Sequence, residues 1–149
     1  MRLGDRPFPY PGLAHFRGKR AAAQQAYNMA GITNPGQEID VAELYDSYSG
    51  VELQAYEDLG FCEQGQGGSA AESGRFDLGG ALPVNPSGGL LGRGAPVGAT
   101  GLAQAIEIML QLRDEADPRR QVAGARRGLT DTHAGTGTHC VVNIFERGD

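Results

Sequence analysis

Two short segments carry residue types that can do acid–base chemistry. The segment ELYDSYS, residues 43–49, offers Tyr45, Asp46 and Tyr48, and the segment TDTHAGTG, residues 130–137, offers His133. A tyrosine or a histidine acts as a general acid or base where its surroundings bring its pKa close to neutrality. Structural interpretations stand beside these: Tyr48 as a core residue, Asp46 as the cap of the following helix, and His133 as a structural or exposed histidine.

A third segment, GRGAPVGATG over residues 92–101, is rich in glycine and precedes an apolar helix. Backbone N–H groups at the start of a helix can hold an anion or a carbonyl oxygen. Close packing of a loop on a helix explains the same glycines, and both interpretations stay open. The chain holds 24 glycines in 149 residues, well above the usual share of about 7%. Such clusters predict either tight loops around a site or a disordered segment.

The elements that must position these segments follow from hydrophobic periodicity. Helices are predicted over 18–30, ending at Gly31, over 49–60, and over 99–112. In the last of these, Leu102, Ile106, Met109 and Leu110 form one face, and Ala103, Ala105, Ile108 and Leu112 make much of the rest apolar, so we expect deep burial of this helix. Strands are predicted near 39–44 and on both sides of a glycine turn close to the C-terminus. We further expect a turn at 34–36, a surface loop over 61–80 and an extended run over 81–89. This order indicates an α/β layered fold, and the three segments lie at junctions of its predicted elements, where such sheets bind ligands.

Composition narrows the function further. The chain has the length of one domain, 40% hydrophobic residues and a net charge of −5. Its basic residues form three small groups, around 17–20, 119–120 and 126–127, which argues against nucleic acid but leaves the phosphates of a small ligand open. The two cysteines, Cys62 and Cys140, have no metal or disulfide spacing, and His15 is expected at the surface. No membrane span or signal peptide is apparent, so we expect a reducing, cytoplasmic compartment and no metal.

The three segments, in this order, resemble the C-terminal half of the thiolase superfamily. The stretch NPSGGLLGRGAPVGATGLAQ is similar to a family signature that reads Asn-x-x-Gly-Gly and then Gly-His-Pro-x-Gly-x-(Ser/Thr)-Gly. The stretch IDVAELYDSYSGVELQAYEDLGFCEQGQGG resembles the sterol-carrier-type, lipid-transfer branch, and QVAGARRGL to HCVVNIF resembles its closing hairpin. The resemblance extends from about Ala21 to the C-terminus. It implies the C-terminal half of a thiolase-like α/β fold, a mixed five-stranded sheet with helices on both faces.

The resemblance implies Claisen condensation or its reverse on acyl-CoA thioesters, the activity of an acyltransferase for groups other than aminoacyl groups. The family's signature histidine falls on Ala95, its first-loop Asn or His falls on Tyr45, and its proton-shuttling cysteine falls near Thr132, beside His133. The acyl-accepting cysteine belongs to an N-terminal half that this chain lacks. Tyr45 and His133 are therefore the implied catalytic residues, and the implied substrate contacts are Asp46, Asn85, Gly94, Ala95 and Gly135.

We thus expect an irregular arm over residues 1–17 and a thiolase C-terminal domain over 18–149. The expected substrate is an acyl-CoA thioester, with no further cofactor. The expected partner is a thiolase N-terminal half or a second copy of the chain, and a small OB-fold accessory protein is a further candidate. Three alternatives stay open: a catalytically inactive scaffold or lipid-binding subunit, a retro-aldolase subunit in steroid side-chain degradation, and a gene fragment.

Overall fold

A computed structural model describes residues 15–135 and 137–148 of the chain. Most of the expected N-terminal arm lies outside these residues, and its boundary at residue 17 stays a prediction. Among the described residues the helices are α1 (Arg17–Ala30), α2 (Pro35–Glu38), α3 (Ser49–Asp58), α4 (Gly67–Glu72), α5 (Gly89–Arg93) and α6 (Thr100–Leu112). The strands are β1 (Val41–Glu43), β2 (Arg127–Ala134) and β3 (His139–Glu146). None of the described helices combines the length and the apolar character needed to cross a membrane.

The strands form one mixed sheet in the order β1-β2-β3. β1 runs parallel to β2, with Val41 opposite Gly128, and β2 and β3 form an antiparallel hairpin. On the free side of β1, Val84 joins Ala42 through a single parallel bridge. The family resemblance implied five strands, whereas the described residues form three and this bridge. Pro83 lacks the N–H group that would extend the ladder in one direction, and the left-handed backbone of Asn85, with φ 52°, ends the extended run in the other.

Helices cover both faces of the sheet, as expected for this fold class. Successive side chains of a strand point to opposite faces. Accordingly Ala42 and Leu129 join the core cluster that contains residues of α1 and α3, whereas Val41 joins Ile108 of α6 in a second cluster. Gly128 faces α6 so closely that an added Cβ would collide with Ile108. The mixed α/β architecture is therefore confirmed.

The structure confirms one local prediction from the sequence and corrects two others. Gly31 ends α1 in the left-handed conformation, with φ 68° and its N–H bonded to Tyr27 O, as predicted. The expected turn at 34–36 instead opens the short helix α2. The expected surface loop over 61–80 was wrong in part, because it contains α4 and buries two phenylalanines, Phe61 and Phe76. Aromatic side chains of that size bury enough area to tie a glycine-rich segment to the core.

The expected deep burial of α6 was also wrong in part. Leu102, Ile106 and Met109 are about half exposed or more, and α6 instead buries Gln104, Glu107, Ile108, Gln111 and Leu112. The buried amides find backbone partners: Gln104 Nε2 donates to Glu43 O at 3.3 Å and to Asp131 O at 2.9 Å. Periodicity alone could not reveal that glutamines face the sheet. Leu102, Ile106 and Met109 form an exposed apolar stripe along this helix.

Candidate functional site

The three chemistry-bearing segments meet in one open cavity of about 590 Å³. It lies where β1 and β2 end, at the carboxyl ends of adjacent parallel strands, the usual ligand site of such sheets. Residues from each segment line it, together with two side chains of β3: Tyr45, Ser47, Tyr48, Val97, Gly98, Thr100, Gly101, Thr132, His133, Ala134, Gly135, His139 and Val141. The structure therefore brings Tyr45 and His133 to one place, as their positions in the sequence suggested.

Tyr45 and His133 are in direct ring contact. Their centroids are 4.5 Å apart and the rings are inclined by 56°. Phe16 makes an edge contact with His133, with centroids 5.2 Å apart. The imidazole is therefore held between two aromatic rings while part of it faces the cavity, a geometry that restricts its orientation.

The surroundings of His133 favour its neutral form. Burial lowers the pKa of His133, the nearby Lys19 ammonium lowers it further, and the Asp131 carboxylate opposes both. Its Nδ1 atom is buried and has no hydrogen-bond partner among the described residues. A neutral imidazole at pH 7 is able to accept a proton, so His133 has the form that a general base needs.

Asp46 lies behind the cavity rather than in its lining. Its buried carboxylate accepts hydrogen bonds from the N–H groups of Leu90 at 2.7 Å and Leu91 at 3.4 Å. It thereby holds the start of α5. The expectation that Asp46 caps the following helix was wrong, because the N-cap of α3 is Tyr48 and makes no side-chain cap bond. The carboxylate reached a helix further along the chain.

Asn85 ties the stretch that leads into α5 and the glycine-rich segment to the sheet. Its backbone is left-handed, with φ 52°, and its side-chain oxygen accepts from Leu44 N at 2.7 Å. Its amide nitrogen donates to Glu52 Oε1 at 3.3 Å. These bonds occupy the side chain within the protein, and Asn85 lines a separate cavity rather than this one.

The glycine-rich segment presents no acid or base at the position of the family's histidine. Gly94, with φ 90°, ends α5, and both Gly94 and Ala95 are exposed. Val97 and Gly98 line the cavity, whereas Ala95 does not. Gly135, with φ 61°, lines it from the β2–β3 turn. The proton-transfer groups described at the cavity thus come from the other two segments and, in His139, from β3.

Glu43 holds two residues at opposite ends of α5, Ser87 just before the helix and Arg93 at its last position. Ser87 donates to the Glu43 carboxylate through its hydroxyl at 2.7 Å and its N–H at 3.0 Å, and Arg93 Nη2 lies 3.4 Å away. Burial raises the pKa of Glu43 to about 7 despite these partners. Glu43 is thus a structural carboxyl that titrates in the neutral range.

Sequence reasoning misplaced three further side chains. Tyr48, interpreted as core, is 73% exposed and lines the cavity. His15, expected at the surface, bonds Asp58 through Nδ1 at 2.9 Å, and its side chain is 8% exposed. Lys19, grouped with possible phosphate contacts, is fully buried and paired with Asp131. For Lys19 a signal existed, because it shares the i, i+4, i+8 stripe of Ala23 and Tyr27.

The described residues contain no group of three or more His, Cys, Asp or Glu side chains that could hold a metal ion. Cys62 and Cys140 are both free thiols, half-buried and outside the cavity lining. The cavity therefore offers hydroxyl, phenol and imidazole groups as its reactive functions.

The fold and this cavity define a class: an α/β domain with an open cavity at the carboxyl ends of its two parallel strands. Residues 10–147 match the thiolase C-terminal domain-like family. The chain therefore belongs to that family, which confirms the resemblance inferred from the motifs.

Two similar proteins and one similar solved structure are consistent with this family. The chain is 52% identical over 126 residues to an acetyl-CoA acetyltransferase of Methanothermobacter thermautotrophicus, covering 85% of this chain and 32% of that protein. It is 44% identical over 136 residues to human sterol carrier protein 2, covering 91% and 24%. A solved structure of an Ltp2-ChsH2(DUF35) aldolase matches with a TM-score of 0.76 and 27% identity, covering 92% and 33%. The chain spans about a quarter to a third of the length of these proteins.

Proposed function

We propose that this domain supplies the acid–base half of a thiolase-fold C–C lyase that cleaves β-hydroxyacyl-CoA thioesters by retro-aldol chemistry. The observation that carries the proposal is the contact of Tyr45 with His133 in the cavity, while the loop position of the family's histidine holds the methyl group of Ala95. A phenol beside a neutral imidazole provides proton transfer without a cysteine nucleophile.

The proposed reaction balances with these groups alone. The Tyr45–His133 pair removes the proton from the β-hydroxyl group of the substrate. The Cα–Cβ bond then breaks, its electron pair forms the thioester enolate, and a carbonyl compound leaves. Return of a proton to Cα gives the shortened acyl-CoA. Donors from the facing half of the enzyme would hold the enolate oxygen, the role of an oxyanion hole.

One comparison and one feature of the cavity support this proposal over an acyl transfer. The similar solved structure is described as an aldolase complex of two named components. Acyl transfer in the family also uses a proton-shuttling cysteine from this half of the fold, and neither cysteine of this chain lines the cavity. We also propose that a partner protein binds the CoA ester, and a small OB-fold accessory protein is one candidate for this partner.

The exposed stripe of α6 is the proposed docking face for the N-terminal half. Leu102, Ile106 and Met109 are 65%, 48% and 47% exposed and lie on one helix. Contiguous apolar surface of this kind marks an interaction site. We expect Ile106→Glu to weaken association with the N-terminal half at least tenfold by sedimentation or light scattering, since a charge would be desolvated at the interface.

Met29→Glu is the matched control for that experiment. Met29 is 83% exposed on α1, on the opposite face of the sheet. It should leave association unchanged. Equal behaviour of the two variants would contradict the docking face.

The catalytic proposal is tested with the protein assembled with its N-terminal half, using a β-hydroxyacyl-CoA and chromatographic detection of the shortened acyl-CoA. Tyr45→Phe should reduce kcat by roughly 10²–10⁴, the usual contribution of general acid–base catalysis. The substitution keeps the ring that packs on His133. Full activity of Tyr45→Phe would remove Tyr45 from the mechanism.

Tyr27→Phe is the matched control for Tyr45→Phe. Tyr27 is buried in α1 and donates its hydroxyl proton to Leu59 O at 2.8 Å. Its loss should cost about 1 kcal/mol of stability and leave kcat unchanged. The two variants thereby separate loss of chemistry from loss of stability.

A second function, that of an inactive acyl-CoA- or lipid-binding subunit, is favoured by Ala95 alone. It predicts that the assembled protein binds the CoA thioester, as measured by calorimetry, and releases no shortened product. Binding without turnover in the wild-type assembly would select this function.

A further inference from the structure

A buried ion pair close to His133 has no part in the chemistry described above. Lys19 Nζ of α1 and Asp131 Oδ2 of β2 lie 2.6 Å apart, and both side chains are fully buried. Burying two charges is costly, and replacing such a pair with apolar residues often leaves a fold equally or more stable. Fold stability is therefore a poor explanation for its presence.

The ion pair lies on the same face of the sheet as the His133 imidazole, and the ring of Phe16 lies close to both. Asp131 and His133 are two residues apart on β2, so their side chains lie on the same face of the sheet, the face covered by α1. Phe16, one turn before Lys19, bridges the two: its ring centroid is 5.7 Å from Lys19 Nζ and 5.2 Å from the His133 ring.

The groups that face His133 come from four elements. Lys19 faces it from α1, Asp131 from its own strand, and Tyr45 from the segment after β1; β3 contributes Cys140, its cross-strand partner, and His139, which shares the cavity. Of the two ions, Lys19 lowers the pKa of His133 and Asp131 raises it. The two charges therefore oppose each other at the imidazole.

We propose that Lys19 and Asp131 are positioning residues for His133: their ion pair, packed against Phe16, fixes the imidazole beside Tyr45 and sets the electrostatic potential at its nitrogens. The catalytic consequence rests on the proposed function. The effect on the imidazole itself does not, and it is measured without turnover.

The test is an NMR titration of His133 in the assembled protein, labelled with ¹³C at histidine. Lys19→Met leaves Asp131 unopposed and should raise the pKa of His133 by about 1, whereas Asp131→Asn leaves Lys19 unopposed and should lower the pKa of His133 by about 1. In both variants the acid limb of the pH–kcat/KM profile should move with the titration. A merely structural role predicts a shift of both variants in the same direction, toward the ordinary value.

Arg20→Met is the matched control. Arg20 neighbours Lys19 on α1 but pairs with Asp58, with Nε 2.6 Å from Oδ1. Its removal deletes one positive charge from the same helix and should leave the titration of His133 unchanged. A shift as large as that of Lys19→Met would overturn the assignment to the buried pair.

Lys19→Met/Asp131→Leu decides the matter if the single variants fail to fold, because it removes both buried charges together. It should weaken the nuclear Overhauser contact between the Tyr45 and His133 rings, since the imidazole loses its fixed place. An unchanged contact together with an unchanged pKa of His133 would overturn the inference. If the wild-type assembly cleaves no substrate, the proposed function fails, and the NMR results still decide the role of the pair.

Discussion

Two polar regions lie at the same end of the sheet and differ in how their polar atoms are satisfied. The first, which we call the loop anchor, comprises Glu43, Asp46, Asn85 and Ser87, and the carboxylate and amide oxygens that hold the glycine-rich segment accept hydrogen bonds within the protein. The second is the cavity, where the ring of Tyr45 and part of the His133 imidazole face open space and His133 Nδ1 has no partner among the described residues.

Both kinds of polar group occur within four consecutive residues. Glu43 and Asp46 are almost fully buried and bound to the glycine-rich segment, whereas Tyr45 between them reaches the cavity. A satisfied buried group stabilises one geometry, while a polar group facing a cavity keeps its capacity for a ligand. Residues near each other in sequence can therefore serve opposite purposes, and the motif as a whole does not identify the reactive group.

The largest expected effect comes from breaking the loop anchor at Gly89. This residue has φ 61°, and an added Cβ would collide with the Asp46 carboxylate. Gly89→Ala should lower the free energy of unfolding by about 2–4 kcal/mol, from backbone strain and loss of the helix cap. Urea denaturation measures the change.

Gly92→Ala in the same helix is its control. An added Cβ at Gly92 meets nothing within 4 Å, so the variant should be neutral or more stable by up to about 1 kcal/mol. Equal destabilisation by both substitutions would show that Asp46 does not anchor the segment.

The next effect is a pH dependence carried by Glu43. Because burial raises its pKa from 4.5 to about 7, the folded state keeps a proton that the unfolded state loses. Stability from this group is therefore present below pH 4.5 and is lost as the pH rises to 7, by roughly 3 kcal/mol. Glu43→Gln should abolish this part of the slope in denaturation measured from pH 4 to 8. Parallel curves for the two proteins would contradict the assignment.

The smallest expected effect is that of substituting Ala95 in the glycine-rich segment. Ala95 is exposed, so Ala95→His should change the free energy of unfolding by no more than about 0.5 kcal/mol. We expect no gain in retro-aldol cleavage by the assembled protein, because in the proposed mechanism Tyr45 and His133 supply the proton transfer. Ala95→Gln controls for side-chain size. A rise in cleavage that is specific to histidine would transfer the limiting role to the glycine-rich loop.

Much of the site could be predicted because it follows from local patterns. The carboxyl ends of neighbouring parallel strands must meet, so placing Tyr45 after β1 and His133 at the end of β2 was enough to predict their proximity. Gly31 and the hairpin of β2 and β3 were equally readable, since each depends on a few adjacent residues.

Other features depend on partners distant in the chain and were not readable. Asp46 looked like a cap for the next helix and instead binds α5, because the closest free N–H groups in space belong to that helix. Likewise, α6 turned its glutamines to the sheet, where backbone carbonyls satisfy them. The spacing of apolar residues along a helix contains no information about the backbone carbonyls that accept hydrogen bonds from its glutamines.

The sequence by itself determined the family, the order of its elements and the three segments that form the cavity, since these follow from motif spacing and local conformational preference. Only the tertiary structure decided which polar groups are occupied and which are free. It paired Lys19 with Asp131 inside the protein, placed Asp46 under a helix, and left Tyr45 against His133 at the cavity. The physical reason is that desolvation and hydrogen bonding act between neighbours in space, and these neighbours exist only once the chain has folded.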